Sequence, residues 1–183
     1  MNDEEWKPIE GFEGYEVSSH GRVRSYWKHI GNPGRNGAHT ELTTDIQKNL
    51  KSRLTGRGYY YVGLKKHKKQ VNLVIHRIVA LTFICNANNL PQVDHIDGNK
   101  LNNHVSNLRW CSRSQNQQNR IIPSNNSSNI KGIGFHKTNK KWYAHWVENG
   151  DQRQKYFKNK EDAVAHRQKM VELHYDQDFY KEF

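Results

Sequence analysis

Long apolar runs are what this chain lacks most. Only 34% of its 183 residues are hydrophobic and its mean hydropathy is −1.05. No stretch approaches the ~18 to 20 consecutive apolar residues of a membrane span, and the acidic N-terminus has neither the basic nor the apolar region of a signal peptide. A soluble, cytoplasmic chain with no membrane partner is expected. Cysteine is scarce as well: Cys85 and Cys111 form no Cys-x-x-Cys pair, which speaks against a zinc knuckle and offers no disulfide framework. So little apolar material does not fill one large core, and an α+β chain of several small modules is expected instead.

Acid is also in short supply, and unevenly. Lys and Arg number 29 against 18 Asp and Glu, for a net charge of +11. Residues 51 to 77 hold Lys51, Arg53, Arg57, Lys65, Lys66, Lys68, Lys69 and Arg77 with no carboxylate at all, whereas the first sixteen residues are acidic. Clustered positive charge of this kind suits a polyanionic partner.

Beyond the basic segment, Val93-Asp94-His95-Ile96 has the form of a short strand, Gly98-Asn99 of a turn, and Leu108 to Cys111 of a second strand. Ser112 and Gln115 have the spacing of a capping box, so a helix should start there with Asn116 about one turn inside. In a strand-strand-helix unit, a strand residue and a helix residue can face each other across a cleft. Asp94, His95, Asn107 and Asn116, with Gly98 and Trp110 flanking, closely resemble the HNH motif of phage and intron homing endonucleases.

That resemblance implies a ββα-metal nuclease core cutting double-stranded DNA as a monomer or weak dimer, one strand per site. His95 has the chemistry of a general base, since an imidazole can be neutral at working pH. Asn107 is expected to orient it through the amide oxygen, and Asp94 and Asn116 to bind one divalent cation. One carboxylate and one amide favour Mg²⁺, with Mn²⁺ a substitute. Many HNH nucleases have histidine where Asn116 stands; this chain matches the asparagine-ending subset. Asp97 and Asn99 read as turn residues and Arg109 as a phosphate clamp. A DNA-binding regulator that keeps the scaffold without cutting is the alternative.

Upstream, Tyr15-Glu16-Val17-Ser18 and Val23-Arg24-Ser25 alternate around a Ser19-His20-Gly21 turn. This hairpin is similar to the modular motif that precedes the nuclease core in HNH homing endonucleases, and Arg22 and Arg24, two apart on one strand face, are placed for phosphates. Residues 27 to 47, with Gly31, Pro33, Gly34 and Gly37, read as a mobile loop. Tyr59 to Leu64 and Gln70 to Val74 read as strands joined by a basic turn, and Arg57, Lys65, Lys66, Lys68 and Lys69 are expected on DNA. His76 to Ile84 reads as a short buried helix, with His76 a core histidine or a support for the site rather than a functional group, though it keeps a modest claim on function.

A polar linker over 121 to 129 divides residues 51 to 120, the nuclease domain, from residues 130 to 183; residues 1 to 50 hold the hairpin motif and loop. The last segment reads as a three-stranded antiparallel sheet plus one helix, packed through Ala163, Val164, Met170, Val171 and Leu173. It resembles the DNA-binding domain of plant ethylene-response factors, with Gly134 and His136 where those carry arginines. Alternation turns Trp142, Ala144 and Trp146 toward the helix and leaves Tyr143 and His145 open, with Arg153, Lys155 and His136 expected beside them on DNA. A purely core role for Trp142, Tyr143, Trp146 and Tyr156 is equally open.

Overall fold

The computed structural model describes residues 3–31, 39–46, 48–119, 126, 128–148, 150–175, 177 and 179–180. Its contacts divide the chain into two compact units, residues 1–110 and 111–183.

In the first unit the chain forms β1 (Trp6–Pro8), β2 (Tyr15–Ser18), β3 (Val23–Ser25), β4 (Trp27–Ile30), β5 (His39–Leu42), β6 (Lys48–Asn49), β7 (Arg53–Leu54), β8 (Tyr60–Lys66) and β9 (Lys69–Val74). Helix α1 (Ile75–Phe83), β10 (Gln92–His95), one 3₁₀ turn at Val105–Asn107 and β11 (Leu108–Cys111) follow. Antiparallel sheets of order β1-β2-β3-β6 and β7-β8-β9 are joined by the ribbons β4-β5 and β10-β11.

The alternation seen in the sequence is what buries these strands. Val17 and Val23 face each other across β2 and β3, and Val62 and Leu64 point inward from β8 while their neighbours stay outside. Helix α1 turns Ile75, Ile78 and Val79 to the same interior and leaves Arg77 and Leu81 outside. The cluster runs from Ile9 on to Val93, Leu108 and Trp110, so the hairpin motif and the nuclease strands share one core across the boundary expected at residue 50. Fully hidden side chains such as Leu64 and Val17 each contribute roughly 1.5 to 3 kcal/mol.

The loop expected over 27 to 47 is in part a ribbon, Trp27–Ile30 against His39–Leu42, while residues 32–38 lie outside the described set. Its strands are mostly exposed, which removes the alternating pattern that would have announced them. The β8-β9 turn takes His67 and Lys68 to φ 49° and 66°, the left-handed pair a two-residue hairpin turn requires.

The second unit begins with α2 (Arg113–Gln118), where both halves of the Ser112/Gln115 capping box form. It continues with β12 (Ile133–His136), β13 (Lys141–Glu148), β14 (Asp151–Phe157) and α3 (Lys160–His174), the strands lying in that order in one antiparallel sheet. Its core is small: Ile133, Ala144 and Ala163, with Ile130, Trp142, Phe157 and Val164 against them. The stripe expected on α3 needs correction, because Leu173 is 62% exposed and the buried positions are Ala163, Arg167 and Val171. Arg167 lays its guanidinium over the rings of Tyr175 and Tyr180, letting a long cationic side chain serve as packing. The linker expected over 121–129 falls mostly outside the described residues. Among those described, no helix is long and apolar enough to cross a membrane.

Candidate active site and nucleic-acid interface

Strand β10 ends in Asp94 and His95, each 5% exposed. The turn behind them is tightly specified. Gly98, at φ +74°, donates its N–H to the His95 carbonyl at 2.8 Å, and Ile96 N–H donates to Asn107 O at 2.8 Å. Asp97 accepts from Asn99 N–H at 2.8 Å, from Asn102 Nδ2 at 2.7 Å and from Asn107 Nδ2 at 2.9 Å. Burial works against its charge, but these donors prevail and hold the carboxyl below its usual range.

Asn107 departs from its expected role. Its Oδ1 accepts from Asp97 N–H at 3.0 Å and its Nδ2 donates to Asn102 O at 2.8 Å as well as to Asp97, so it laces the 97–107 loop and makes no bond to the imidazole. Both N–H donors of the amide and one acceptor site of its oxygen are thereby engaged by one loop. The amide that does reach the ring is that of Asn103, whose Oδ1 lies 3.2 Å from His95 Nε2. Asn103 is 6% exposed, and nothing in the Asn102-Asn103 pair distinguishes it in sequence, since either amide could have turned inward.

Around His95 the walls are rings. His76 lies edge-on at 5.0 Å between centroids and Tyr59 stacks at 6.1 Å, with Lys100 Nζ 4.8 Å over the tyrosine. Burial lowers the pKa of His95 despite the opposing Asn103 bond and the Asp94 and Asp97 charges, so the ring is neutral near pH 7. Burial, reinforced by His95 and Arg77, pushes His76 down to about 3, and its Nδ1 has no hydrogen-bond partner. His76 is thus a buried histidine packed against His95.

Arg109, expected as a phosphate clamp, places Nε 3.0 Å from Asp94 Oδ2 with both side chains largely buried. Trp110 beside it anchors β11 through Nε1 to Ile84 O at 3.0 Å. Asn116 is half-buried in the first turn of α2, in the C-terminal unit.

Among the expected DNA contacts, the lysines of the β8-β9 tip, Lys65, Lys66, Lys68 and Lys69, are exposed, as is Arg57. Arg22 and Arg24 do share a face, both guanidiniums lying over Trp6, but carboxylates already hold them: Arg22 Nε donates to Glu4 and Arg24 Nε to Glu16, each at 2.7 Å. A phosphate contact by either guanidinium would be made beside its glutamate.

On the C-terminal sheet, Ala144 and Trp146 are buried while Tyr143 and His145 lie on the other face, as alternation requires. Arg153 and Lys155 do not join them. Arg153 is the cross-strand partner of Trp146 and Lys155 of Ala144, and such partners share a face, so both cations stand on the helix side. The open face instead carries Tyr143, His145, Tyr156 and His136, with Tyr156 5.9 Å from His136 and 6.1 Å from Tyr143 between ring centroids. Tyr143 folds across Gly134, where a methyl would come within 2.3 Å of its ring.

Comparison with known proteins now bears on these features. Residues 4–65 match the NUMOD4 motif and residues 74–118 match an HNH endonuclease family. The chain is 36% identical over 118 residues to the DNA endonuclease I-HmuI of Bacillus phage SP01, covering 64% of this chain and 58% of that one. It is 34% identical over 109 residues to an uncharacterised HNH endonuclease of Acanthamoeba polyphaga mimivirus, covering 60% of this chain and 28% of that one. It thus spans under two thirds of either relative. A solved structure described as DNA binding and cleavage by the HNH homing endonuclease I-HmuI aligns with 92% of this chain and 88% of its own, at 28% identity and a TM-score of 0.49. The Asp94-His95 strand, the Asn107-laced loop and the capped helix all fall within residues 74–118, the segment that matches the HNH endonuclease family, and that segment follows one that matches the NUMOD4 motif.

Proposed function

We propose that this protein is a metal-dependent DNA endonuclease that hydrolyses one phosphodiester per active site. The observation that carries the reading is His95: a buried imidazole, lowered in pKa, ring-packed on two sides and bonded through Nε2 to an amide. An amide oxygen can only accept, so Nε2 carries the proton and the basic lone pair is on Nδ1. A neutral imidazole held in one tautomer is what a general base needs before a water can be deprotonated.

The donor chemistry fits a hard cation. Asp94 is a buried carboxylate steadied by Arg109, and among the described residues no group of three His, Cys, Asp or Glu side chains converges. Carboxylate and amide oxygens, from Asp94 and from Asn116 on α2, are the proposed ligands. When bound, Mg²⁺, or Mn²⁺ in its place, supplies Lewis-acid charge at the scissile phosphate and the leaving 3′ oxygen. Asp94 holds its carboxylate ready, Arg109 balances that charge, and His95 takes the proton.

Double-stranded DNA is the proposed substrate, with the lysine tip of β8-β9 and Arg57 on phosphates and the aromatic face of the C-terminal sheet, in the manner of the ethylene-response-factor domains, as a second contact. A monomer or weak dimer would nick first, since one site addresses one bond. The test is a supercoiled plasmid incubated with and without Mg²⁺, run beside a gel shift. Nicked circle that depends on the ion supports the reading; tight binding with no nick in the presence of Mg²⁺ would leave the regulator that keeps only the scaffold.

A further inference from the structure

The NUMOD4 motif meets the nuclease segment at one point close to the chemistry. The turn between β2 and β3 is closed by Gly21 N–H donating to Ser18 O at 2.9 Å, with Gly21 at φ +79°. A methyl on Gly21 would stand 2.8 Å from Asn103 Cβ and 3.2 Å from Asn103 O, so the turn backbone lies directly on that residue. The contact continues on both sides. Val105 N–H donates to Ser19 O at 2.8 Å, and the His20 and His104 rings lie 4.7 Å apart. Asn103 is thus pressed between the turn and His95. Its Nδ2 donates to Leu101 O at 3.3 Å, which directs Oδ1 toward Nε2 of His95 at 3.2 Å.

We propose that the Ser19–Gly21 turn of the NUMOD4 motif is a buttress for cleavage, setting Asn103, which in turn sets the ring orientation and tautomer of His95. Both are positioning residues, and the idea rests on His95 being the base. It gives the N-terminal motif a part in the rate of the chemical step, separate from any contact it makes with DNA. Glycine is needed at position 21 on two counts, the left-handed backbone and the absence of a Cβ against Asn103. What position 103 has to supply is an acceptor oxygen for the proton on Nε2, and the amide of Asn103 does so.

The test is single-turnover nicking of a supercoiled plasmid by the full chain, with gel-shift affinity and thermal melting measured on every variant. Asn103→Leu should lower the cleavage rate on the order of 10- to 100-fold with DNA affinity unchanged, the scale seen when a histidine loses its orienting partner. Asn103→Asp, which keeps an acceptor oxygen, should recover most of that loss. Gly21→Ala should slow cleavage in the same way, and the Gly21→Ala/Asn103→Leu double variant should be no slower than Asn103→Leu alone, because both act through one contact. Wild-type nicking by Asn103→Leu, equal loss in the aspartate variant, or multiplying losses in the double variant would overturn the buttress. His95→Ala in the same assay separates the two ideas: if it cuts normally the base assignment fails, and if it is inactive while Asn103→Leu is normal only the buttress fails.

Discussion

The N-terminal unit gathers a continuous apolar cluster from Ile9 to Trp110, whereas the C-terminal unit closes on Ile133, Ala144 and Ala163 and fills out with Arg167 stacked on tyrosines. The polar groups follow that difference. Asp94, His95, Asn103 and Asn107 are buried on the first core and held by specified partners. The second unit keeps Tyr143, Tyr156 and His136 on its sheet's outer face instead. A deep core can bear the cost of desolvating polar groups and fix them in place, which chemistry requires; a thin core leaves its rings to a partner. The proposed roles, a base held on the first core and an added DNA contact on the sheet of the second unit, rest on that contrast.

The comparison breaks most visibly at His95. His95→Ala should lower the nicking rate by ~10² to 10⁴ while leaving gel-shift affinity near the original value. Leu64→Ala should destabilise the first unit by about 2 to 5 kcal/mol and carry cleavage down with it in a thermal inactivation assay. Ile133→Ala should loosen the β12-β13-β14 sheet and α3 packed on it, and weaken DNA binding, while nicking persists at high protein concentration; a loss of nicking as complete as that from Leu64→Ala would remove the contrast.

Acid sharpens the same point. His76 has its folded pKa depressed by burial to about 3 from the ordinary histidine value of 6.5, so between those values the unfolded chain binds more protons. Stability is therefore highest above pH 6.5 and falls as pH drops toward 3. His76→Phe should flatten this slope in urea titrations followed from pH 7 to 4, and an unaltered slope would show that His76 is not the group responsible.

The smallest effects should come from surface charge. Lys66→Gln and Lys68→Gln should each reduce the salt dependence of DNA binding by about 0.9 in log-log slope, whereas Arg24→Gln, whose partner is Glu16, should change it less. Equal slopes for all three would mean that the glutamate does not hold Arg24 back from phosphate.

Much of this was legible in the chain itself. The strands β2 and β3 declare themselves by alternation, β8 by its aromatic and β-branched residues, β10 and β11 as short apolar-flanked runs about a turn, and the Ser112/Gln115 box fixes the start of α2 because both of its hydrogen bonds are local. What was not legible depended on choices made in space. Asn103 and Asn107 are both amides near one loop, and only the fold decides that the first meets His95 while the second laces to Asp97. Arg153 and Lys155 were assigned to the wrong face because the register pairing Glu148 with Asp151 puts Arg153 opposite Trp146. The β4-β5 ribbon was missed since strands exposed on both faces carry no periodic burial signal. Arg167 in a core position defeats hydropathy outright.

The tight turn after β10 also bears on chemical ageing. An Asp-Gly step is prone to succinimide closure, in which the glycine nitrogen attacks the aspartate carboxyl carbon and the backbone is rerouted through the side chain. At Asp97-Gly98 the nitrogen is committed to the His95 carbonyl at 2.8 Å, and the carboxylate is gripped by Asn99, Asn102 and Asn107. The fold that prepares the histidine thereby shields the weakest covalent link beside it, and isoaspartate should accumulate at that step in unfolded chains long before it does in folded ones.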